Sequence, residues 1–152
     1  MIIGDLKNVY SLEGKTALIT GGGQGFGGAI AEGFAQFGAD VSVVDINQET
    51  ADAVAAAAEK MGRKAIALKC DVSDAEQVLE TVEKSIQALG KIDILAAVAG
   101  IGDRAMAEDM SMQQWKRVID INLTGVWMFD QAVGKHLISR KAPGSKIGRA
   151  HV

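Results

Sequence analysis

The sequence contains a single cysteine, Cys70, and a single proline, and only 5% of its residues are aromatic. One cysteine excludes a disulfide within the chain and suits a reducing compartment, so we expect a cytoplasmic protein. No apolar run reaches membrane-spanning length, and residues 1–10 lack the cationic start and apolar core of a secretion signal. We therefore expect neither a membrane protein nor a secreted one.

A strong excess of one charge is also missing. The formal net charge is -3 at pH 7, and the lysines and arginines are not gathered into a basic stripe. A partner with a phosphate backbone is therefore not expected, and we predict no nucleic acid binding. His136, His151 and Cys70 show no metal-ligand spacing, so we expect no metal and predict that both histidines lie at the surface or at the edge of the core.

Short apolar runs alternate with amphipathic segments along the whole chain. The runs predict strands at 15–20 (KTALIT), 40–45 (DVSVVD), 64–70 (KAIALKC) and 92–98 (IDILAAV). Helices are predicted between them, with starts marked by Asn47 and by capping boxes at Ser73 and Ser111, and the last helix is expected to run to about Arg140. This alternation predicts an α/β fold with a doubly wound parallel sheet.

A glycine-rich loop lies between the first predicted strand and the helix that follows it. Residues 20–27 read TGGGQGFG, and glycines there allow a sharp turn and a close approach of the backbone to a pyrophosphate. Gly23, Gly25 and Gly28 fit one glycine spacing, whereas Gly21, Gly25 and Gly27 fit a wider one, which we prefer. The alternative is a flexible turn without a ligand.

An acidic residue, Asp45, ends the second predicted strand about 20 residues after this loop. A carboxylate at this place can accept a hydrogen bond from an adenosine ribose hydroxyl and would repel a 2′-phosphate. Gln24, Ile46 and Asn47 offer no cation for such a phosphate. The sequence therefore favours NAD over NADP, the alternative being an acid that is merely solvated at the end of its strand.

Further motifs resemble those of the classical short-chain dehydrogenase/reductase family, and the resemblance extends over residues 11–145. Asp71-Val72 is similar to the family pair that contacts adenine, and Asp120 begins the segment DINLTG, in which Asn122 matches the catalytic asparagine that holds a water. Residues 97–100 read AVAG where the family usually has Asn-Asn-Ala-Gly. The resemblance implies a Rossmann-type unit whose cofactor-binding residues are Gly21, Gln24, Gly25, Phe26, Gly27, Asp45, Asp71, Val72, Val98, Ala99 and Gly100.

The family carries out its acid-base chemistry with a Tyr-x-x-x-Lys pair and a serine. The only tyrosine here, Tyr10, precedes the glycine loop and has Gly14 four residues later, so it cannot match. The resemblance implies a parent protein that interconverts a secondary alcohol and a ketone, on a sugar, polyol or 3-oxoacyl-like substrate, as a homodimer or homotetramer. The 152 residues alone are expected to be inactive. The alternatives are a non-catalytic NAD-binding or regulatory module and an S-adenosylmethionine methyltransferase.

The end of the sequence departs from this pattern. Residues 143–147 resemble the turn into a fifth strand, but the final residues IGRAHV match a translated sequencing adapter. We therefore divide the chain into an NAD-binding unit at 1–146 and a non-native tail at 147–152; the alternative is a naturally truncated paralogue. We expect a sheet truncated after about four strands and the long helix, in which 92–98 forms an exposed apolar edge and lowers solubility.

Overall fold

The computed structural model describes residues 9–148. Strands and helices alternate along the chain: β1 (Thr16–Thr20), α1 (Gly25–Gln36), β2 (Asp40–Asp45), α2 (Gln48–Lys60), β3 (Ala65–Lys69), α3 (Ala75–Leu89), β4 (Ile94–Ala97), α4 (Met112–Ile119), a π-helical segment (Asp120–Gly125), α5 (Val126–Ser139) and β5 (Ser145–Gly148). No helix within residues 9–148 is both long and apolar enough to cross a membrane.

The strands form one parallel sheet in the order β3-β2-β1-β4-β5. This order confirms the predicted α/β fold of Rossmann type, because each parallel neighbour is reached through a helical crossover. The expectation that β4 is a bare edge is wrong. β5 pairs with it from Ile94 opposite Ser145 to Ala97 opposite Gly148, so the short, exposed β5 forms the edge instead.

The two faces of the sheet carry separate cores, since successive side chains of a strand point to opposite faces. Ala17 and Ile19 pack with Val41, Val43 and the small residues of α1 and α2. On the other face, side chains of β1 and β4 pack against α3 and α5, as shown by the cluster of Leu18, Leu95, Val78, Val82, Phe129 and Val133. Helices therefore cover both faces, as a doubly wound sheet requires.

Two of the three predicted helix starts are confirmed. Asn47 accepts hydrogen bonds from the amides of the first turn of α2, and Ser111 forms the expected capping box with Gln114. The box predicted at Ser73 is wrong, because Asp74 caps α3 and the Ser73 hydroxyl instead donates to Asp71 Oδ1 at 2.6 Å. A carboxylate at 71 competes successfully for that hydroxyl, which shifts the cap by one residue.

A polar cluster holds the amino end of β4 against α5 and β1. Asp93, which is 6% exposed, accepts hydrogen bonds from Thr16 N at 3.1 Å and from Arg140, and pairs with Lys91 at 2.8 Å. His136 Nε2 accepts from Ile92 N at 3.2 Å, which requires that this nitrogen carry no proton. His136 thus lies at the edge of the core, as predicted, whereas His151 lies outside the described residues.

This arrangement predicts a loss of stability in mild acid. Burial lowers the pKa of His136, the positive charge of Arg140 lowers it further, and Asp93 only partly opposes them. Because the folded pKa lies below the unfolded value of about 6.5, the stabilising contribution is complete above that pH and is lost as the pH falls through the folded pKa. Protonation removes the bond from Ile92 N, a loss on the order of 1 kcal/mol.

Urea unfolding at pH 7.5 and 5.5 measures this effect. The free energy of unfolding of the 152-residue chain should fall at the lower pH, and His136→Gln should reduce the fall. Lys135→Gln replaces an exposed side chain on the same helix and serves as the control. An equal fall in the wild-type and His136→Gln chains would contradict the prediction.

Candidate functional site

The carboxyl ends of β1, β2 and β4 surround an open cleft of about 360 Å³. All of the residues predicted to bind a cofactor line it: Gly21, Gln24, Gly25, Phe26, Gly27, Asp45, Asp71, Val72, Val98, Ala99 and Gly100. The cleft also includes Ile46, Cys70, Ile101 and Ile121, which the sequence motifs did not predict. Ile46, Cys70 and Ile101 each adjoin a predicted cofactor-binding residue at the end of a strand. This adjacency in the sequence was the signal that could have indicated them.

The geometry of the loop distinguishes between the two glycine spacings. Gly21 and Gly25 have positive φ values of 64° and 55°, which favour glycine. A Cβ on Gly21 would lie 2.8 Å from Ala99 Cα, and one on Gly27 would overlap the Gly21 carbonyl. Gly28 meets only ordinary contacts. The spacing Gly21, Gly25 and Gly27 is therefore the one that the backbone demands.

The amino end of α1 opens into the same cleft. Gln24 precedes this helix without capping it, because no side chain accepts a hydrogen bond from the first-turn amides, and the first turn carries no acidic residue. Uncapped amides at a helix start offer hydrogen bonds and a positive dipole end to an anion. The cleft thus fits a diphosphate at the glycine loop.

The Asp45 carboxylate is held by two backbone amides. Its Oδ2 accepts from Gly23 N at 2.9 Å and its Oδ1 accepts from Asn47 N at 3.0 Å. Asp45 is only 8% exposed, yet it lines the cleft. A carboxylate can accept about four hydrogen bonds, so acceptor capacity is left for a hydroxyl group in the cleft.

The end of β3 forms the opposite wall. Asp71 Oδ1 accepts from both the amide and the hydroxyl of Ser73, which fixes the carboxylate at the rim of the cleft. Burial raises the pKa of the neighbouring Cys70 thiol; a hydrogen bond involving Thr81 opposes this, and nearby acids add to it. Cys70 is therefore a protonated, buried wall residue rather than a nucleophile.

Residues 97–100 keep their place without the asparagines usual in the family. Ala97 is buried in the core beneath α3 and α5, and Val98 packs against the core on the other face. Ala99 N donates to Thr20 Oγ1 at 3.2 Å, which ties this segment to the end of β1. Apolar packing and the hydrogen bond to Thr20 thus hold the wall that approaches Gly21.

Asn122 lies outside the cleft, in an adjacent pocket that shares Ile101 with it. Its amide nitrogen donates to Ile101 O at 2.8 Å and its Oδ1 accepts from Ile101 N at 2.9 Å. The helix is π-helical here, a local widening that is common at functional sites. Asn122 therefore joins the π-helical segment to the chain that follows β4. This structural role is independent of any part that Asn122 takes in a reaction.

Metal binding finds no support in residues 9–148, where no group of three histidine, cysteine, aspartate or glutamate side chains could hold an ion. The polar groups that line the cleft include backbone amides, which donate hydrogen bonds, and the carboxylates of Asp45 and Asp71, which accept them. This set matches a phosphate group and hydroxyl groups better than a cation alone.

The parallel sheet and the glycine loop at its carboxyl edge define an α/β protein of Rossmann type. The family model "short chain dehydrogenase" matches residues 15–147. The chain therefore belongs to the short-chain dehydrogenase family.

Individual relatives agree with this assignment. The chain is 40% identical over 131 residues to D-threitol dehydrogenase from Mycolicibacterium smegmatis, covering 85% of this chain and 50% of that protein. It is 34% identical over 137 residues to 5-keto-D-gluconate 5-reductase from Escherichia coli, covering 90% and 54%. The chain thus spans about half the length of these relatives.

Two solved structures have the same fold. A short-chain type dehydrogenase/reductase from Mycobacterium marinum superposes with a TM-score of 0.88 at 33% identity, covering 96% of this chain and 58% of that one. A 7 alpha-hydroxysteroid dehydrogenase complexed with NADH and 7-oxo glycochenodeoxycholic acid gives 0.86 at 32% identity, covering 97% and 56%.

Proposed function

We propose that this chain is the NAD-binding part of an oxidoreductase that interconverts a secondary alcohol and a ketone. One observation carries the proposal: the uncapped start of α1 and the Asp45 carboxylate face the same cleft. The first suits a diphosphate and the second suits the hydroxyls of a ribose. Bound in this way, a nicotinamide would supply the hydride chemistry, while this chain's residues bind and orient the dinucleotide.

The choice of NAD over NADP follows from charge. No residue lining the described cleft is positively charged, and Asp45 presents a negative charge at the place proposed for the ribose. A 2′-phosphate would meet this carboxylate without a compensating cation, and such juxtapositions of like charge are costly. Gln24, at the start of α1, adds no charge.

The substrate is proposed to be a sugar, a polyol or a 3-oxoacyl-like compound. The names of the relatives from M. smegmatis and E. coli, a threitol dehydrogenase and a ketogluconate reductase, support the first two classes. Asn122, proposed to hold a water for proton transfer, is fixed by its two bonds to Ile101. Tyr10, the only tyrosine, is 62% exposed and has no lysine four residues later, so the 152 residues are proposed to bind NAD without turnover.

A non-catalytic NAD-binding module is the second candidate, favoured by the same missing Tyr-x-x-x-Lys pair. Recovery of that pair in a longer protein would decide for the enzyme.

We further propose a cytoplasmic homodimer or homotetramer for the whole protein. Cys70, which is buried and forms no disulfide, suits a cytoplasmic protein. Trp115 in α4 and Trp127 in α5 are exposed, which suits assembly into an oligomer.

The cofactor proposal predicts a measurable preference. Calorimetric titration of the 152-residue chain should give NAD a Kd at least about tenfold lower than that of NADP, equal to roughly 1.4 kcal/mol. The physical reason is repulsion between the 2′-phosphate and Asp45. S-adenosylmethionine serves as the control ligand for the methyltransferase alternative and should not bind. Tighter binding of NADP than of NAD, or binding of neither, would overturn the proposal.

A further inference from the structure

Gly23 lies in the glycine loop but outside the triplet that the backbone demands. Its φ is not in the left-handed region, so its own conformation does not require glycine. A side chain is excluded by neighbours instead. A Cβ on Gly23 would overlap Thr50 Oγ1 and would lie 3.0 Å from both Cγ and Oδ2 of Asp45. The absence of a side chain at 23 is therefore imposed by residues of β2 and α2.

These neighbours are themselves fixed. Thr50 Oγ1 donates to Asn47 O at 3.1 Å, which holds the hydroxyl in the position that blocks a Cβ on Gly23. Asp45 accepts from Gly23 N through one oxygen and from Asn47 N through the other. The carboxylate thus connects the glycine loop to the start of α2.

We propose that Asp45 is a positioning residue for the glycine loop as well as a ribose ligand, and that Gly23, Asp45 and Thr50 act as one coupled unit. This inference rests on the proposed NAD function for its ligand, but the coupling itself concerns the protein alone. Its consequence is that removal of the side-chain acceptor at 45, as in Asp45→Ala, does more than relax the choice between NAD and NADP. The loop loses an anchor, so binding of both dinucleotides should weaken.

Amide hydrogen exchange tests the coupling without a ligand. In Asp45→Ala, exchange at Gly23 should accelerate by about tenfold, the effect of losing one hydrogen bond to a charged group. Gly22 N, which donates to Val44 O at 3.0 Å, is the internal reference and should be unchanged. Asp45→Asn removes the charge but keeps an acceptor oxygen for Gly23, so the protection there should be retained within about threefold. Unchanged exchange at Gly23 in Asp45→Ala would overturn the inference.

Nucleotide titration of the same variants separates positioning from charge. If Asp45 acted by charge alone, Asp45→Ala and Asp45→Asn would both gain NADP affinity. We expect the gain only in Asp45→Asn, whereas Asp45→Ala should bind both NAD and NADP more weakly than Asp45→Asn by about tenfold. Equal affinities of the two variants would overturn the positioning role. A wild-type chain that binds neither dinucleotide would overturn the proposed function, while the exchange result would still decide the coupling.

A double-mutant cycle gives a third readout. Gly23→Ala should weaken NAD binding by about tenfold in the wild-type background, since the added methyl is forced against Asp45 and Thr50. In the Thr50→Ala background the same change should cost less, about threefold or below, because the overlap with Thr50 Oγ1, the shortest of these contacts, is gone. Equal losses in the two backgrounds would show that residues 23 and 50 act independently and would contradict the coupled unit.

Discussion

Replacement of Gly27 by alanine is expected to raise the Kd for NAD about a hundredfold and to destabilise the fold. The added Cβ would overlap the Gly21 carbonyl oxygen and lie 2.6 Å from its carbon, and both atoms belong to the backbone, so no side-chain rotation relieves the contact. Forced overpacking of this kind costs about 1–3 kcal/mol. Displacement of the loop would also remove amide bonds to the diphosphate, and two such bonds at about 1.5 kcal/mol each correspond to a Kd about a hundredfold higher.

Gly33→Ala is the matched control for this variant. Gly33 lies in the interior of the same helix, α1, and a Cβ there meets nothing within 4 Å. Alanine at an open helical position should stabilise the chain by about 0.5–1 kcal/mol and leave the Kd for NAD unchanged. Urea unfolding and calorimetric titration of both variants measure the contrast. A Gly27→Ala chain that binds NAD as tightly as the wild-type chain would contradict the steric argument.

The cleft could be predicted from the sequence because its parts follow one another along the chain. Each apolar run ends at the end of a parallel strand or one residue beyond it, and carboxyl ends of parallel strands meet at one edge of the sheet. Gly21, Asp45, Asp71 and Ala99 each follow or close such a run, so their convergence on one cleft required only the correct strand order.

The features that could not be predicted depend on which groups meet in the folded chain. The capping role of Asp74 rather than Ser73 is decided by Asp71, which takes the Ser73 hydroxyl. The π-helical segment places Asn122 against Ile101, and no local pattern in DINLTG distinguishes this geometry from an ordinary helix. The role of Gly23 was also hidden, since a glycine among glycines gives no sign that a side chain from another element occupies its space.

The role of Asp93 also depends on contacts that the sequence does not show. Its replacement is expected to have the largest effect on stability outside the glycine loop. In the sequence it is only a polar residue at the start of an apolar run. In the fold it bridges Thr16 N of β1, Lys91 and Arg140, and its backbone carbonyl accepts from Ser145 N, the first residue of β5. Burial by itself would raise the pKa of Asp93, but hydrogen bonds from Lys91 and Thr16, with the help of Arg140, lower it overall.

Asp93→Ala should therefore lower the free energy of unfolding by roughly 2–4 kcal/mol at pH 7, because it leaves Thr16 N without its acceptor and two cations without their partner. The partial exposure of Lys91 and Arg140, at 35% and 28%, keeps the loss below that of a fully buried pair. Glu80→Ala, which breaks the exposed pair with Lys84, is the control and should cost less than about 1 kcal/mol.

The pH dependence of the free energy of unfolding distinguishes the contribution of the Asp93 charge from that of its size and shape. Since the folded pKa lies below the unfolded value, its stabilisation is present above about pH 4 and is lost as the pH falls through the folded pKa. Asp93→Asn keeps the shape and removes the titration, so its unfolding free energy should fall less than that of the wild-type chain between pH 5 and pH 3. Parallel acid curves for the two proteins would mean that the ion pairs contribute nothing to the fold, and that the loss in Asp93→Ala comes from packing and from the lost acceptor for Thr16 N.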